Sequence, residues 1–404
     1  MASHRSDHML RGLLRASHVS TFEDLPALVA EHAERQGLHQ ATIFVSDLQK
    51  MVLREATGRG RDAGRGGTQL DIDTTSAGRA YTSGEISSFS EKGYDRHWLP
   101  LLDGTERLGV LRVDSRPQPT GQTMEAMKDL ASLVGLLLVA KRANSDSYAR
   151  LIRVNAMTVS AEMQWTLMPP RTFANSHVTI AAQMEPAYAT AGDAFDYALA
   201  ANIAHLAIFD AMGHDTPAGL TANLAMATCR NRRRQGASLD HTCAAIEKMI
   251  SEHFMDSRYA TAVLADLDMI TGLLTWVNCG HPQPVLIRGG RRTTHLECPP
   301  APPLGTGFDL PISVCRKQLQ PGDRLLLYTD GVTEARSAAG TQFGLDRFID
   351  ALIRHQTDDL SVPETLRRLI HAVLHHHEGN LSDDATVLLC EWNGPPSPRG
   401  RGAA

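Results

Sequence analysis

Four acidic clusters in the second half of the chain constrain its fold more than any other feature. They are Gly192-Asp193-Ala194-Phe195-Asp196, Phe209-Asp210-Ala211-Met212-Gly213-His214, Thr329-Asp330-Gly331 and Ser382-Asp383-Asp384-Ala385-Thr386. Each sits at the end of an apolar run that reads as a strand, so carboxylates distant in sequence can meet at one sheet edge. Such a cluster repels itself, and each member raises the pKa of the next unless a cation neutralises them. Oxygen-only ligation selects a hard divalent ion, magnesium or manganese, over zinc or copper. Taken singly, an aspartate beside a strand is an ordinary turn residue or helix cap. Four in one context point to a metal site built from carboxylates.

Size and composition leave room for this. The 404 residues, 42% hydrophobic and 21% charged, suffice for two or three globular domains. A formal charge of -5 supplies no basic field to draw nucleic acid or an anionic membrane. The main basic run, Arg230 with Arg232, Arg233 and Arg234, reads as a solvated helix end, with docking of an acidic partner as the alternative. The cysteines (Cys229, Cys243, Cys279, Cys298, Cys315, Cys390) form no CxxC pair, and most lie in apolar stretches, so the expectation is reduced structural thiols in a cytoplasm. Met1 to Arg15 lacks the continuous apolar core of a secretory signal. The longest greasy run, Leu133 to Ala140, falls far short of the roughly 20 residues of a membrane span. A cytoplasmic protein with no nucleic-acid or membrane partner is expected.

Residues 1–19 and the Gly, Pro, Ser and Arg-rich tail 393–404 are predicted to be disordered. From Thr21 to Gln36 apolar residues recur at helical spacing, followed by short strands at Ala41 to Val45 and Met51 to Leu53 and a glycine-rich loop from Gly58 to Gly67. Trp98 to Leu102, a turn at Asp103-Gly104, and Leu108 to Val113 predict a hairpin. A helix then carries Met124, Met127, Leu130, Leu133, Val134 and Leu137 on one stripe. With Ala77-Gly78-Arg79-Ala80 and Ser83-Gly84, this stretch, residues 20–142, resembles a GAF domain. The resemblance implies an α/β module that senses a small molecule or a protein. It names no ligand, and no cysteine for a covalent chromophore and no cyclic-nucleotide signature is found there.

Residues 143–170 are predicted to be a helical linker. Ile152, Ala156, Val159, Met163 and Leu167 form a heptad-like seam that ends at Pro169-Pro170. Two readings stay open: a helix packed on its own domain, or a homodimeric connector from sensor to enzyme. Residues 171–392 are strand-rich. Predicted strands are Val178 to Gln183, His205 to Phe209, Ala260 to Leu267, Gly272 to Asn278, Arg324 to Tyr328 and Ala385 to Cys390. Predicted helices are Pro217 to Arg232, Ser238 to His253 and Pro363 to His377. Hairpin-like links favour two antiparallel sheets with helices outside over a doubly wound parallel sheet. The overall class is α+β.

The ordered motifs GD-x-F-D, FD-x-x-GH, N-x-GHP, LLLYTDG-x-x-EA and DDAT-x-L, preceded by Gln164-x-x-Leu167-x-Pro169-Pro170, resemble the metal-dependent (type 2C) Ser/Thr protein phosphatases. The particular branch is the bacterial sporulation and sigma-factor-regulating one, and the resemblance covers about residues 160–392. It implies an αββα-layered β-sandwich with two manganese or magnesium ions at one end. Carried over residue by residue, Asp193, Asp210, Asp330 and Asp383 are the catalytic metal ligands. Asp210 bridges both ions, the Ala211 carbonyl completes one sphere, and Asp384 is a ligand or orienter. Asp196 supports Asp193. Gly213 and Gly331 let backbone approach the ions, Gly192 supports the site or shapes its loop, and His214 either bonds a carboxylate ligand or shapes its loop. His281, in Asn278-Cys279-Gly280-His281-Pro282, is structural rather than a proton donor. His375-His376-His377 reads as an exposed patch.

The implied chemistry is hydrolysis of phosphoserine or phosphothreonine by a metal-activated water, with no nucleophilic side chain. The implied substrate is a phosphorylated STAS-type anti-sigma-factor antagonist, and the regulator is the GAF-like domain. Two positions depart from the family pattern, Ala191 and Asp215, where glycine is usual. They motivate the alternative, a pseudophosphatase that binds phosphoprotein without turnover, and Asp215 adds a fifth carboxylate near the cluster. A two-metal nuclease is disfavoured by the acidic balance.

Overall fold

The computed structural model describes residues 2–58, 63–91, 93–189, 192–299, 301–308, 310–334, 344–357, 360–376 and 383–395. The chain divides into two compact units, Met1–Ala156 and Met157–Ala404. The first contains α1 (Ala2–Ser17), α2 (Leu25–Glu34), β1 (His39–Ser46), β2 (Val52–Glu55), β3 (Gln69–Asp71) and α3 (Ser76–Ser83). It continues with β4 (Ser87–Glu91), β5 (Tyr94–Asp103), β6 (Glu106–Ser115), α4 (Gly121–Arg142) and α5 (Asp146–Leu151). Its strands form one antiparallel sheet in the order β3-β2-β1-β6-β5-β4.

Strand alternation divides the apolar side chains of this sheet between two faces. Ile43, Val45, Leu99, Leu101, Leu111 and Val113 pack with α1, α2, α4 and α5 in one cluster. Phe44, Trp98 and Val110 pack with Ala77, Ala80 and Tyr81 of α3 in another. The predicted hairpin is β5–β6, closed around Gly104 in a left-handed conformation. Helix α1 corrects the expectation of a disordered start. Met9 and Leu13 recur at i, i+4 and both are buried in the core, a one-sided stripe hidden within a polar segment. The tail from residue 396 lies outside the described residues.

The single seam helix predicted between the domains is also corrected. Residues 152–158 are not helical. Leu151 of α5 belongs to the core of the first unit, whereas α6 (Val159–Leu167) starts afresh, with Thr158 capping the amide of Ala161. Ile152 and Ala156 therefore lie on no helix face shared with Val159, Met163 and Leu167, and a heptad dimer seam through all five does not form.

After α6 the second unit contains β7 (Thr172–Ala174), β8 (Val178–Glu185), β9 (Asp193–Ala200), β10 (Ile203–Ala211), α7 (Thr216–Arg234), α8 (Leu239–Phe254) and β11 (Ala260–Asp268). There follow β12 (Leu273–Cys279), β13 (Val285–Arg288), β14 (Arg292–His295), β15 (Cys315–Gln318) and β16 (Asp323–Tyr328). The last elements are α9 (Asp330–Glu334), α10 (Leu345–Thr357), α11 (Val362–His376) and β17 (Ala385–Trp392). Two antiparallel sheets result, in the orders β15-β12-β11-β10-β9 and β14-β13-β16-β17-β8-β7.

Leu325, Leu327, Leu388, Cys390, Ile180 and Ala182 of the six-stranded sheet share one core with the five-stranded sheet and helices α7 and α8. Leu326, Tyr328, Val387 and Leu389, one position out of phase, pack on α10 and α11. Covering both faces explains why these strands read as continuous apolar runs rather than alternating ones. A disulfide joins Cys298 and Cys315, whose Cα atoms are 5.9 Å apart, so the expectation of six reduced thiols is corrected; Cys229, Cys243, Cys279 and Cys390 are free and buried.

Because Leu13 is fully buried, Leu13→Ala is expected to destabilise the first unit by about 2–5 kcal/mol. Urea unfolding followed by circular dichroism checks this, and an unchanged midpoint would show that α1 does not dock.

Candidate metal centre

In an antiparallel pair the start of one strand lies beside the end of its neighbour. Asp193 opens β9 and Asp210 lies at the end of β10, and the two are direct register partners. In the other sheet Asp330 follows β16, Asp383 and Asp384 precede β17, and Tyr328 pairs with Val387. Each sheet thus delivers acids to one end, and the two ends meet. Asp384 Oδ2 accepts the backbone N–H of Gly192 at 2.7 Å, and Thr329 Oγ1 donates to Asp193 Oδ2 at 2.7 Å.

The electrostatics follow from burial. Asp193 is 2% exposed. Its carboxyl is held well above the usual carboxylate range, first by burial and then by the charges of Asp210 and Asp384. Asp210 is pushed up to about 7 by burial and by Asp330, Asp383 and Asp384. Asp383 is exposed and accepts the N–H of Asp384 at 2.9 Å, whereas Asp384 is buried. The acids are neighbours rather than a closed cage: among the described residues no three His, Cys, Asp or Glu side chains already converge as a ligand group.

Backbone is packed tightly here. A Cβ on Gly331 would lie 1.9 Å from the Asp384 carbonyl, and one on Gly192 would lie 2.7 Å from the Ala211 carbonyl. Only glycine fits at either position. Gly192 O also accepts the Ala211 N–H at 2.9 Å. Gln164 of α6, fully buried, donates Nε2–H to the Asp193 carbonyl at 2.7 Å.

Three residues assigned to this end from sequence do something else. Asp196 faces away from Asp193 by strand alternation. Its Oδ1 accepts from Arg230 Nε and Nη2 at 2.9 and 2.6 Å, and its Oδ2 from Arg233 Nη1 at 2.7 Å. The same contacts correct the solvated reading of that arginine run at two of its members. Asp215 caps α7 through the Ala218 N–H at 2.9 Å, and Arg258 pairs with both its oxygens at 3.1 and 3.0 Å. Hydrogen bonds from Arg258 and Ala218 hold its pKa below the usual range, so it does not extend the acid cluster. His214 is exposed, and among the described residues no side-chain hydrogen bond ties it to a carboxylate. Gly213 takes a left-handed turn, φ 92°, beside Arg258, which also donates to Met212 O at 3.0 Å. Ala191, Ser382 and His377 lie outside the described residues.

His281 is buried between the sheets. Nε2 lies 3.0 Å from Tyr328 O and Nδ1 lies 2.7 Å from Thr261 Oγ1. A carbonyl only accepts, so Nε2 carries the proton and Nδ1 accepts from Thr261. Burial, opposed by the Tyr328 carbonyl, pushes its pKa down to about 3. A neutral ring therefore ties β11, beside Asp210, to the residue before Thr329. Sequence reasoning missed Thr329 and Arg258. Thr329 sits inside a quoted motif, but a lone arginine ahead of β11 gives no signal.

Two outcomes are expected. Asp196→Asn leaves two arginines over a buried amide and is expected to cost about 3 kcal/mol in urea unfolding, with divalent-ion binding unchanged; altered ion binding would return Asp196 to the acid cluster. His281 stays neutral in the fold while the unfolded ring protonates near pH 6.5. The unfolded state then binds more protons, so stability falls as pH drops from about 6.5 toward 3. His281→Asn is expected to flatten that part of the pH–stability curve, and an unchanged slope would contradict this.

Residues 202–393 match the family model described as Stage II sporulation protein E (SpoIIE). Protein IcfG of Synechocystis sp. is 27% identical over 144 residues, 35% of this chain and 22% of that protein. Phosphoserine phosphatase RsbP of Bacillus subtilis is 25% identical over 189 residues, 46% of this chain and 44% of that protein. Phosphoserine phosphatase RsbU of the same organism is 22% identical over 232 residues, 57% of this chain and 68% of that protein. The chain thus spans less than half the length of the first two relatives. The matched region carries Asp210, Asp330 and Asp383, and is similar to the family described as Stage II sporulation protein E.

Proposed function

We propose that the second unit is a manganese- or magnesium-dependent protein phosphatase acting on phosphoserine or phosphothreonine. The observation that carries this reading is the meeting of Asp193 and Asp210, register partners in one sheet, with Asp330, Asp383 and Asp384 from the other. The names of RsbP and RsbU support phosphoserine as the scissile group. The layering is read as an αββα sandwich, supported by the core shared between the sheets and by α7, α8, α10 and α11 packed against them.

The residues fit a pair of hard divalent ions. The donor set is oxygen only, and the Gly192 and Gly331 backbones leave no room for a Cβ where the acids meet. Asp193, Asp210, Asp330, Asp383 and the Ala211 carbonyl would hold the ions. When bound, such ions supply an activated water and neutralise phosphoryl oxygens. Asp384 orients the Gly192–Asp193 entry, and Gln164 and Thr329 fix Asp193 from the α6 and β16 sides.

The first unit is read as a GAF-like sensor, supported by a sheet with helices on both faces; its ligand is a small molecule or protein. The proposed substrate is a phosphorylated STAS-type anti-sigma-factor antagonist in a cytoplasmic pathway, and among the described residues no helix is long and apolar enough to cross a membrane. One motive for the pseudophosphatase alternative weakens, because Asp215 is engaged by Arg258 and Ala218.

Phosphate release from a phosphoserine-bearing STAS protein tests the reading. Manganese is expected to support turnover and excess EDTA to stop it. Asp210→Asn and Asp330→Asn are expected to lower the rate by about two orders of magnitude or more. Full activity in EDTA or in either variant would refute it.

A further inference from the structure

The residue before Asp330 reaches across from one sheet to the other. Thr329 is fully buried. Its hydroxyl donates to Asp193 Oδ2 at 2.7 Å and accepts the Thr386 N–H at 2.9 Å. Its own N–H donates to Thr386 O at 3.0 Å. A hydroxyl has one proton; its two acceptors are Asp193 Oδ2 at 2.7 Å and Asp384 O at 3.5 Å, so the proton goes to the much nearer Asp193 carboxylate while the oxygen accepts from Thr386. Thr386 is also fully buried, and its hydroxyl lies beside the same carboxylate, a second neutral donor that, together with Thr329, opposes the rise of the Asp193 pKa on burial.

Resting on the reading of this edge as a divalent-cation site, we propose that Thr329 is a positioning residue. Its hydroxyl, anchored on the β16–β17 pair, holds the Asp193 carboxylate in the orientation that binds the cation. The side chain of Asp193 faces like charges from Asp210 and Asp384, opposed only by the hydroxyls of Thr386 and Thr329. Without the Thr329 donor that carboxylate turns away from its neighbours, and the orientation a cation requires must be restored at the expense of binding. Partners that orient a ligand typically change metal affinity by about 10–100-fold when removed.

The test is calorimetric titration of manganese into the full chain after stripping with EDTA, with thermal melting as a check on folding. Thr329→Val keeps the shape and loses the donor; a 10–100-fold weaker manganese affinity is expected. Phosphatase activity in this variant should return as manganese is raised. Thr329→Ser keeps the donor and is expected to bind with a loss well below the tenfold lower end of that scale. Unchanged affinity in Thr329→Val would overturn the proposal. So would a tenfold loss in Thr329→Ser, an arm that decides the matter even where the valine variant does not fold. Absence of manganese binding by the unchanged chain would overturn the metal-site reading, and this inference with it.

Discussion

The register of β9 against β10 is the constraint on which the site depends. It places Asp193, which is buried, directly opposite the partly buried Asp210, so the two carboxylates repel strongly. A slip of one residue would move every side chain of β9 to the other face, carrying Phe195 out of its place in the core and Asp193 away from Asp210 with it. Core packing of Phe195, Ile208 and Phe209 thus fixes the position of the acids. The hydrophobic effect pays for an arrangement that electrostatics alone would undo.

Two buried aspartates on the same strand show the difference between stability and function. Asp196 has two guanidinium partners and is satisfied within the chain. Asp193, three residues earlier, has only threonine hydroxyls and negative neighbours. A charge deficit left open at one end of a well-packed unit is characteristic of a functional site. The surrounding groups are neutral and tied into the fold: His281 to Thr261 and Tyr328, Gln164 Nε2 to the Asp193 carbonyl. They hold geometry without cancelling the negative potential.

Much of this was legible in the chain because both faces of the six-stranded sheet are covered, giving unbroken runs such as Leu325-Leu326-Leu327. The motif order located the acids for the same reason, since each flanks such a run. Strand β9 is absent from the predicted strands because Asp193, Asp196 and Tyr197 interrupt its apolar pattern for reasons of chemistry and pairing. The partners of Asp196 lie 34 and 37 residues away, beyond any local periodicity. Helix α1 was hidden by its polar face, and the break at residues 152–158 by an apolar spacing that continues through it. Disulfide pairing does not follow from cysteine spacing alone.

The most direct measurement is anomalous diffraction at the manganese edge from crystals of the full chain grown with manganese. Two peaks among Asp193, Asp210, Asp330 and Asp383, with Asp210 between them, are predicted. Well-ordered aspartates with no peak among them, or peaks only elsewhere on the chain, would contradict the account.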